Sequence, residues 1–309
     1  MSGSFSDRVD YAIQSTLSTF DESLILAAGV VGSTARGYFD AHSDIDVLLV
    51  SEAELPEFTT FQTPYELTIS TVPRDWFLPY ELKTNFDFAE LRVISDLSSA
   101  YPFVDKIGFF DSAKRVNKTA TLREDIQHTM HEQVADSLCL LASSANVIER
   151  KLLTSQVVNI STTLILANSH IRLTKPRWAW RSLLALNPSY CDLVSTALKL
   201  PLVYSRVKTS VLHAILEVSV LDDEKEGVNK NYLRALLKHS ESSSSSLESA
   251  YIKDLLINWF LKNEVNVDNQ VFLEELQSIV TDIYSSRNTP EELNALLGYT
   301  STPLGLGSV

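Results

Sequence analysis

The sequence predicts an α+β protein in two parts: a small α/β domain with a mixed sheet over residues 1–117, then an all-α helical bundle over residues 118–309. In the first part, strand-length apolar runs alternate with short amphipathic segments. From residue 119 onward glycine becomes rare, and long segments with a helical period follow one another, separated mainly by prolines. A succession of such helices joined by short loops is typical of a bundle.

Length and composition indicate a globular protein. A chain of 309 residues can form two domains with separate cores, and 45% hydrophobic and 21% charged residues are ordinary values. No apolar run reaches the roughly 18 residues of a membrane span, and Met1–Asp7 lacks the pattern of a secretory signal. Cys139 and Cys191 are too few for a disulfide framework, and we expect two buried thiols. We therefore expect a cytoplasmic protein with no membrane partner.

The net charge restricts the classes of partner. At −13, with a pI near 4.9, the chain is a poor match for nucleic acid, whose binders depend on Lys and Arg contacts to phosphates. The same charge disfavours a template-dependent polymerase. An acidic surface attracts cationic ligands over long range. Acidity that serves solubility alone is the competing interpretation.

The first domain is predicted from local patterns. Val9, Ile13 and Leu17 recur every four residues, which is typical of an amphipathic helix. The predicted elements are a helix over 5–20, a strand over 24–31, a short helix over 34–39, a strand over 44–50, a loop over 52–63, a strand over 65–72, a partly helical segment over 74–90, and a last strand over 106–110. Asp111 and Ser112 then have the side chains of a helix N-cap.

The second domain is predicted to consist of helices joined by short loops. The segments with a helical period are 122–145, 147–173, 177–186, 191–198, 204–221, 231–238, 247–262 and 269–285. The serine run over 242–246 is predicted to be a loop between two of these helices.

Two aspartates at the start of the second strand are the first sign of chemistry. Asp44 and Asp46 are two positions apart, so the strand places both side chains on one face. Two carboxylates held side by side repel each other unless a divalent cation lies between them. Mg²⁺ is the usual cation where carboxylates and phosphate oxygens share a site. The pair therefore predicts a magnesium site.

A glycine and a serine end the preceding strand and predict a phosphate site beside the metal. Gly32 lets a ligand approach the backbone closely, because it has no side chain. Ser33 can offer both its N–H and its hydroxyl to a phosphate. A phosphate cradle and a magnesium site on neighbouring strands together predict a nucleoside triphosphate site.

The residues Gly32-Ser33, a spacer and Asp44-Ile45-Asp46 resemble the signature of the nucleotidyltransferase superfamily, whose fold is DNA polymerase β-like. The layout with a following helical domain is similar to that of kanamycin nucleotidyltransferase. The resemblance implies transfer of AMP from ATP to a hydroxyl of a small molecule, such as an aminoglycoside-like antibiotic, with release of pyrophosphate. It also implies a role in antibiotic resistance and a homodimer.

The resemblance assigns further residues to the nucleotide. Gly32, Ser33, Arg36 and Ser43 are the implied nucleotide contacts, in which Arg36 would add a charge-assisted hydrogen bond to a phosphate. An outward-facing helix arginine is the alternative for Arg36.

The third strand carries a single acidic residue, Glu66, with Thr68 and Ser70 on the same face. Many nucleotidyltransferases have a third metal-binding carboxylate on this strand, so the resemblance makes Glu66 a candidate. A solvent-facing acid at the end of a strand is the equal alternative.

The resemblance also implies a general base on the first helix of the helical domain. Glu132 and Asp136 are four residues apart and share a helix face. By position Asp136 would draw the proton from the acceptor hydroxyl. The chain departs from the family pattern in having an aspartate as the base and Leu140 in place of a lysine one turn later. A plain polar stripe on an amphipathic helix is the alternative.

Two further patterns are explained better without chemistry. Arg234 and His239 match an Arg-x4-His ribonuclease motif, but Ala235 stands where a polar residue is usual, so chance is the preferred interpretation. His128 and His131 are more typical of a solvated helix face than of a metal site. Two other functions stay open: an antitoxin-type enzyme that modifies a protein, and a catalytically silent nucleotide-binding protein.

Overall fold

The structure, a computed structural model, describes residues 4–40, 43–53, 55–56, 58–60, 65–169, 176–202, 204–218, 230–262 and 270–284. The chain divides into two compact units, and the boundary lies between Arg123 and Glu124. A mixed sheet with helices forms the first unit, and the described residues of the second form helices joined by short links. The predicted α+β class is therefore confirmed. Across the described residues, no helix has both the length and the hydropathy needed to cross a bilayer.

The first unit alternates short strands and helices. Its elements in chain order are α1 (Phe5–Thr19), β1 (Ile25–Val31), α2 (Gly32–Ala35), β2 (Ile45–Ser51), β3 (Phe58–Thr60), β4 (Leu67–Pro73), α3 (Leu78–Glu81), β5 (Asn85–Phe86), α4 (Phe88–Ser98), β6 (Tyr101–Asp105), α5 (Phe109–Thr119) and β7 (Thr121–Leu122). β5 and β7 pair with each other in parallel. This pairing extends the first unit beyond residue 117, where the sequence places the end of the domain.

The main sheet has five strands in the order β3-β4-β2-β1-β6. β1 is antiparallel to β2 and β6, β2 is parallel to β4, and β3 is antiparallel to β4. β2 is therefore central, and its first residues lie between two strands. The register pairs Asp46 with Val31 of β1 and with Thr68 of β4.

One face of the sheet packs against α1. Ile45, Val47 and Leu49 alternate along β2 and are buried in one apolar cluster with α1 residues. The other face, which includes the positions of Asp46 and Leu48, meets α5: a Cβ at Gly29, which pairs with Leu48, would lie 2.9 Å from Cζ of Phe110. Asp46 therefore belongs to the face opposite α1.

The buried stripe of α1 differs from the predicted one. Arg8, Val9, Ala12 and Thr16 are buried, whereas Leu17 of the predicted stripe is 38% exposed. Val9 of the predicted series is buried and Ile13 packs against the same cluster, so the buried face of α1 contains part of the predicted stripe together with positions 8, 12 and 16. This face places the Arg8 side chain inside the protein.

The strand predicted over 106–110 is wrong, because the edge strand β6 ends at Asp105 and α5 begins at Phe109. Gly108 has a left-handed φ of +69° at the N-cap position of α5. The Asp105 carboxylate accepts hydrogen bonds from the N–H groups of Phe109, at 2.9 Å, and Phe110, at 3.2 Å. This side-chain cap starts the helix, so the predicted capping residues after Phe110 lie inside its first turn.

The loop predicted over 52–63 contains the short edge strand β3, which pairs with β4. The sequence of this polar, proline-containing segment has no strand pattern of its own. Its three strand residues form a strand because they pair with the open edge of β4.

The second unit contains a helix for each segment that the sequence predicts. They are α6 (Glu124–Ser143), α7 (Val147–Ala167), α8 (Pro176–Leu186), α9 (Pro188–Ala197), α10 (Thr209–Val218), α11 (Lys230–Ser242), α12 (Ser246–Lys262) and α13 (Gln270–Tyr284). The serine run forms the link between α11 and α12, where the Ser245 hydroxyl accepts the Glu248 N–H at 3.2 Å. Cys191 is buried as expected, but Cys139 is exposed, because it lies on an outward position of α6.

Candidate active site

The two aspartates lie at the start of the central strand. Asp46 is within β2, and Asp44 precedes the strand by one residue; both are half-buried. Ile45 between them is fully buried on the α1 face, and the alternation of side chains along the strand places position 46 on the other face. That Asp44 and Asp46 direct their carboxylates to one metal ion stays a prediction.

Gly32 brings the backbone of the preceding bend against Asp46. Its φ is +68°, and a Cβ built on it would lie 2.8 Å from Oδ2 of Asp46. Any side chain at this position would be strained in its backbone and would also collide with the carboxylate. Glycine is thus required both for the bend and for the position of Asp46.

The Ser33 side chain has an unsatisfied hydroxyl next to this bend. Ser33 is 4% exposed, and its Oγ has no hydrogen-bond partner among the described residues. Buried hydroxyls without a partner are uncommon, because the lost solvation costs about 1–3 kcal/mol. An oxygen-rich ligand at the bend would satisfy this group.

The backbone around Asp44 is fixed from both neighbouring elements. The Thr34 hydroxyl of α2 donates to the Asp44 carbonyl at 3.2 Å, and the Ile45 N–H donates to the Glu66 carbonyl at 2.8 Å. The peptide group that follows Asp44 is therefore held on its oxygen side by α2 and on its nitrogen side by the segment leading into β4. This arrangement limits the directions that the Asp44 carboxylate can take.

Arg8 holds the segment that precedes Asp44. Its Nη1 donates to the Ser43 carbonyl at 2.8 Å, and its Nη2 donates to the Asp40 carbonyl at 2.7 Å. The Ser43 hydroxyl in turn accepts the Asp40 N–H at 3.0 Å. Ser43, a predicted nucleotide contact, is 5% exposed, and these hydrogen bonds give it a role in shaping the segment before Asp44.

Two aromatic rings enclose the Arg8 guanidinium. Its Cζ lies 4.7 Å from the centroid of Phe39 and 4.8 Å from that of Tyr65. Burial lowers the pKa of Arg8, while the charges of Tyr65, Asp40 and Asp44 act in the opposite direction. Arginine stays protonated under such conditions, so a positive charge is held close to the aspartate pair. Arg8 was not predicted from the sequence. The pattern that could have indicated its burial is the spacing of four that it shares with Ala12 and Thr16, which are buried on the same helix face.

Arg36 is bound to α4. Its Nη2 donates to the Ser95 hydroxyl at 2.7 Å and pairs with the Asp96 carboxylate at 3.1 Å, and its side chain is 7% exposed. The outward-facing alternative does not fit this burial. In this structure Arg36 fastens the turn after α2 to α4, and a direct contact with a phosphate stays a prediction.

Glu66 lies just before β4, and its role at the site stays a prediction. It is exposed, and its backbone rather than its carboxylate contacts the start of β2. Among the described residues there is no group of three or more His, Cys, Asp and Glu residues that could hold a metal. The β4 residue that pairs with Asp46 is Thr68, a hydroxyl rather than an acid.

The candidates of the second unit lie on two of its helices. Glu132 and Asp136 are exposed on α6, and Glu132 pairs with His128 at 3.2 Å. His239, of the Arg-x4-His pattern, is 1% exposed on α11; its ring contacts Trp178 edge-on and its Nε2 lies 3.4 Å from Glu248. His239 is thus part of the buried core of this unit.

Comparison with known proteins agrees with the geometry of the first unit. Residues 13–121 match the family model described as a nucleotidyltransferase domain. A search of curated proteins found no match. Among solved structures, the chain is similar to a nucleotidyltransferase-like protein from Exiguobacterium sibiricum 255-15, with 12% identity, a TM-score of 0.26, and coverage of 94% of this chain and 89% of that chain.

The first unit therefore contains a nucleotidyltransferase domain, and the bend at Gly32 and the aspartate pair lie within the matched residues. The match supports a nucleotidyltransferase activity for this protein.

Proposed function

We propose that this protein is a Mg²⁺-dependent enzyme that transfers a nucleoside monophosphate, AMP from ATP, onto a hydroxyl of a cationic small molecule. An aminoglycoside-like antibiotic is the proposed acceptor class. The observation that supports the proposal most directly is the unsatisfied Ser33 hydroxyl at a glycine bend that touches Asp46. The location of this bend within the residues that match a nucleotidyltransferase domain supports a nucleotide as its ligand.

The residues of the site fit a magnesium ion bound together with a triphosphate. Mg²⁺ is usually held by one or two carboxylates plus substrate phosphates and water, so Asp44 and Asp46 suffice without a third protein ligand. When bound, Mg²⁺ neutralises negative charge that develops on the phosphoryl group. The Ser33 hydroxyl and the backbone at Gly32 would grip the outer phosphates.

The proposed reaction is an in-line displacement. The acceptor oxygen forms a bond to the α-phosphorus, the bond from that phosphorus to the bridging oxygen breaks, and pyrophosphate leaves with both electrons of that bond. Asp136 or Glu66 would take the proton of the acceptor hydroxyl, a contribution of about 10²–10⁴-fold. Both side chains are exposed and therefore accessible to a substrate.

The acceptor class is proposed from charge. With a formal net charge of −13, the protein attracts polycations over long range and is a poor match for nucleic acid.

The test is pyrophosphate release with each of four nucleoside triphosphates and a panel of hydroxylated acceptors. We expect Asp46→Asn to lower the rate at least about a hundredfold, because the site loses half of its metal-binding charge. Asp75→Asn, which removes an exposed carboxylate in the turn after β4, is the charge-matched control and should retain the parental rate. Equal rates for Asp46→Asn and the parent would show that the metal-site assignment is wrong. Label from ATP that enters protein bands of a lysate would favour a protein acceptor instead.

A further inference from the structure

Asp44 lies between α2 and β2, where the described residues, 36–40 and 43–44, form neither helix nor strand. α2 ends at Ala35 and β2 begins at Ile45. Asp44 therefore lies outside the hydrogen-bonded strand on its N-terminal side. Contacts between Asp40 and Ser43 and contacts from other elements hold the backbone on this side.

Arg8 provides the contact on that side. Its two terminal nitrogens donate to two backbone carbonyls of the segment, Asp40 and Ser43, at 2.7 and 2.8 Å. The Ser43 carbonyl belongs to the peptide bond that joins Ser43 to Asp44. The peptide groups on both sides of Asp44 are thus anchored, one by Arg8 and the other by Thr34 and the strand pairing.

The way Arg8 is held favours a geometric role. Arg8 is 1% exposed, and its guanidinium lies against the rings of Phe39 and Tyr65, whose contact limits its movement. A planar fork that donates two hydrogen bonds fixes the distance between its two acceptors, whereas a lysine ammonium does not. α1 packs on β2 through a shared apolar cluster, so the position of Arg8 is fixed relative to the sheet. Its hydrogen bonds then fix the segment relative to the same sheet.

We propose that Arg8 is a positioning residue: by binding the Asp40 and Ser43 carbonyls it sets the orientation of Asp44 for metal binding. This inference rests on the proposed function, since it needs the aspartate pair to bind a divalent cation. Arg8 itself contacts neither metal nor substrate in this scheme.

The test is binding of Mn²⁺, measured by electron paramagnetic resonance on the full chain with α,β-methylene ATP, which cannot transfer its nucleotidyl group. Mn²⁺ prefers the same oxygen ligands and octahedral geometry as Mg²⁺. We expect Arg8→Lys and Arg8→Gln each to weaken Mn²⁺ binding at least about tenfold, because neither side chain reproduces the fork. Val9→Ala, which removes core contacts of the neighbouring buried residue, should bind Mn²⁺ like the parent at equal folded fraction.

Each alternative has its own outcome. Parental binding by both Arg8 variants, with binding lost in Asp46→Asn, would overturn the role of Arg8 and leave the proposed function intact. Parental binding by Arg8→Lys alone would also overturn it, because charge rather than geometry would then matter. Parental binding by Asp46→Asn would refute the metal site itself.

A second variant tests the inference if the Arg8 variants do not fold. Ser43→Ala removes the hydroxyl that accepts the Asp40 N–H and so loosens the same segment from the other side. We expect it to weaken Mn²⁺ binding about threefold, and unchanged binding in a folded Ser43→Ala protein would contradict the inference.

Discussion

Gly32 meets two requirements that no other residue can meet together. Its φ of +68° is a left-handed conformation, and the space where a Cβ would stand is taken by the Asp46 carboxylate at 2.8 Å. Gly108 has nearly the same φ, +69°, but has open space around its missing Cβ. A comparison of the two glycines therefore separates the effect of backbone strain from the effect of displacing the Asp46 carboxylate.

We predict that Gly32→Ala and Gly108→Ala both lower the free energy of unfolding, by about 1 kcal/mol or more, because alanine is strained at this φ. Only Gly32→Ala should also lower the rate of pyrophosphate release, at least about tenfold, because its methyl group displaces Asp46. Urea unfolding and a coupled pyrophosphate assay measure the two effects. A Gly32→Ala enzyme that keeps parental activity would show that the contact with Asp46 is irrelevant to catalysis.

Helices α7 and α12 of the second unit share a buried ion pair. Lys151 is fully buried, Asp254 is 1% exposed, and the two are joined by a short hydrogen bond. Asn258 donates to the other Asp254 oxygen at 2.8 Å, and the Tyr204 hydroxyl donates to the oxygen that binds Lys151. Burial lowers the pKa of Lys151 and raises that of Tyr204. The pair is satisfied as a network, so its members depend on one another.

We predict that Asp254→Asn lowers the free energy of unfolding by about 3–5 kcal/mol, because the Lys151 ammonium would then be buried without a counter-charge. The matched control is Glu52→Gln, which breaks the ion pair with Arg74. The side chains of Glu52 and Arg74 are 62% and 61% exposed. That change should cost less than about 1 kcal/mol. Urea denaturation of both variants gives the comparison. Similar losses in the two would mean that the buried network contributes no more than a surface pair.

The whole chain carries a formal charge of −13, and this charge acts on substrates before they reach the site. For a polycationic acceptor we predict that kcat/KM falls about tenfold when the NaCl concentration rises from about 50 to 200 mM, because salt screens the attraction. For an uncharged polyol acceptor, kcat/KM should stay nearly constant. Initial rates at several salt concentrations measure both. Equal salt dependence for the two acceptors would contradict acceptance of cations by electrostatic attraction.

The sequence by itself determined the class of fold and the core of the candidate site. Strand-length runs and helical periods are local, so they identified the two kinds of unit and a helix for each predicted segment of the second. The positions of Asp44 and Asp46 on one face follow from their spacing of two in an extended chain. The bend at Gly32 was likewise visible because it directly follows a strand.

Only the tertiary structure decided what holds that site. Arg8 and Ser43 are 35 positions apart, and Arg36 and Asp96 are 60 positions apart, so no local pattern could pair them. The same holds for β3, which depends on the open edge of β4. Side chains that bind distant backbone follow from how helices rotate and pack on the sheet. The face that α1 packs against the sheet includes Arg8 beside Val9, and so a charged residue is buried in the domain.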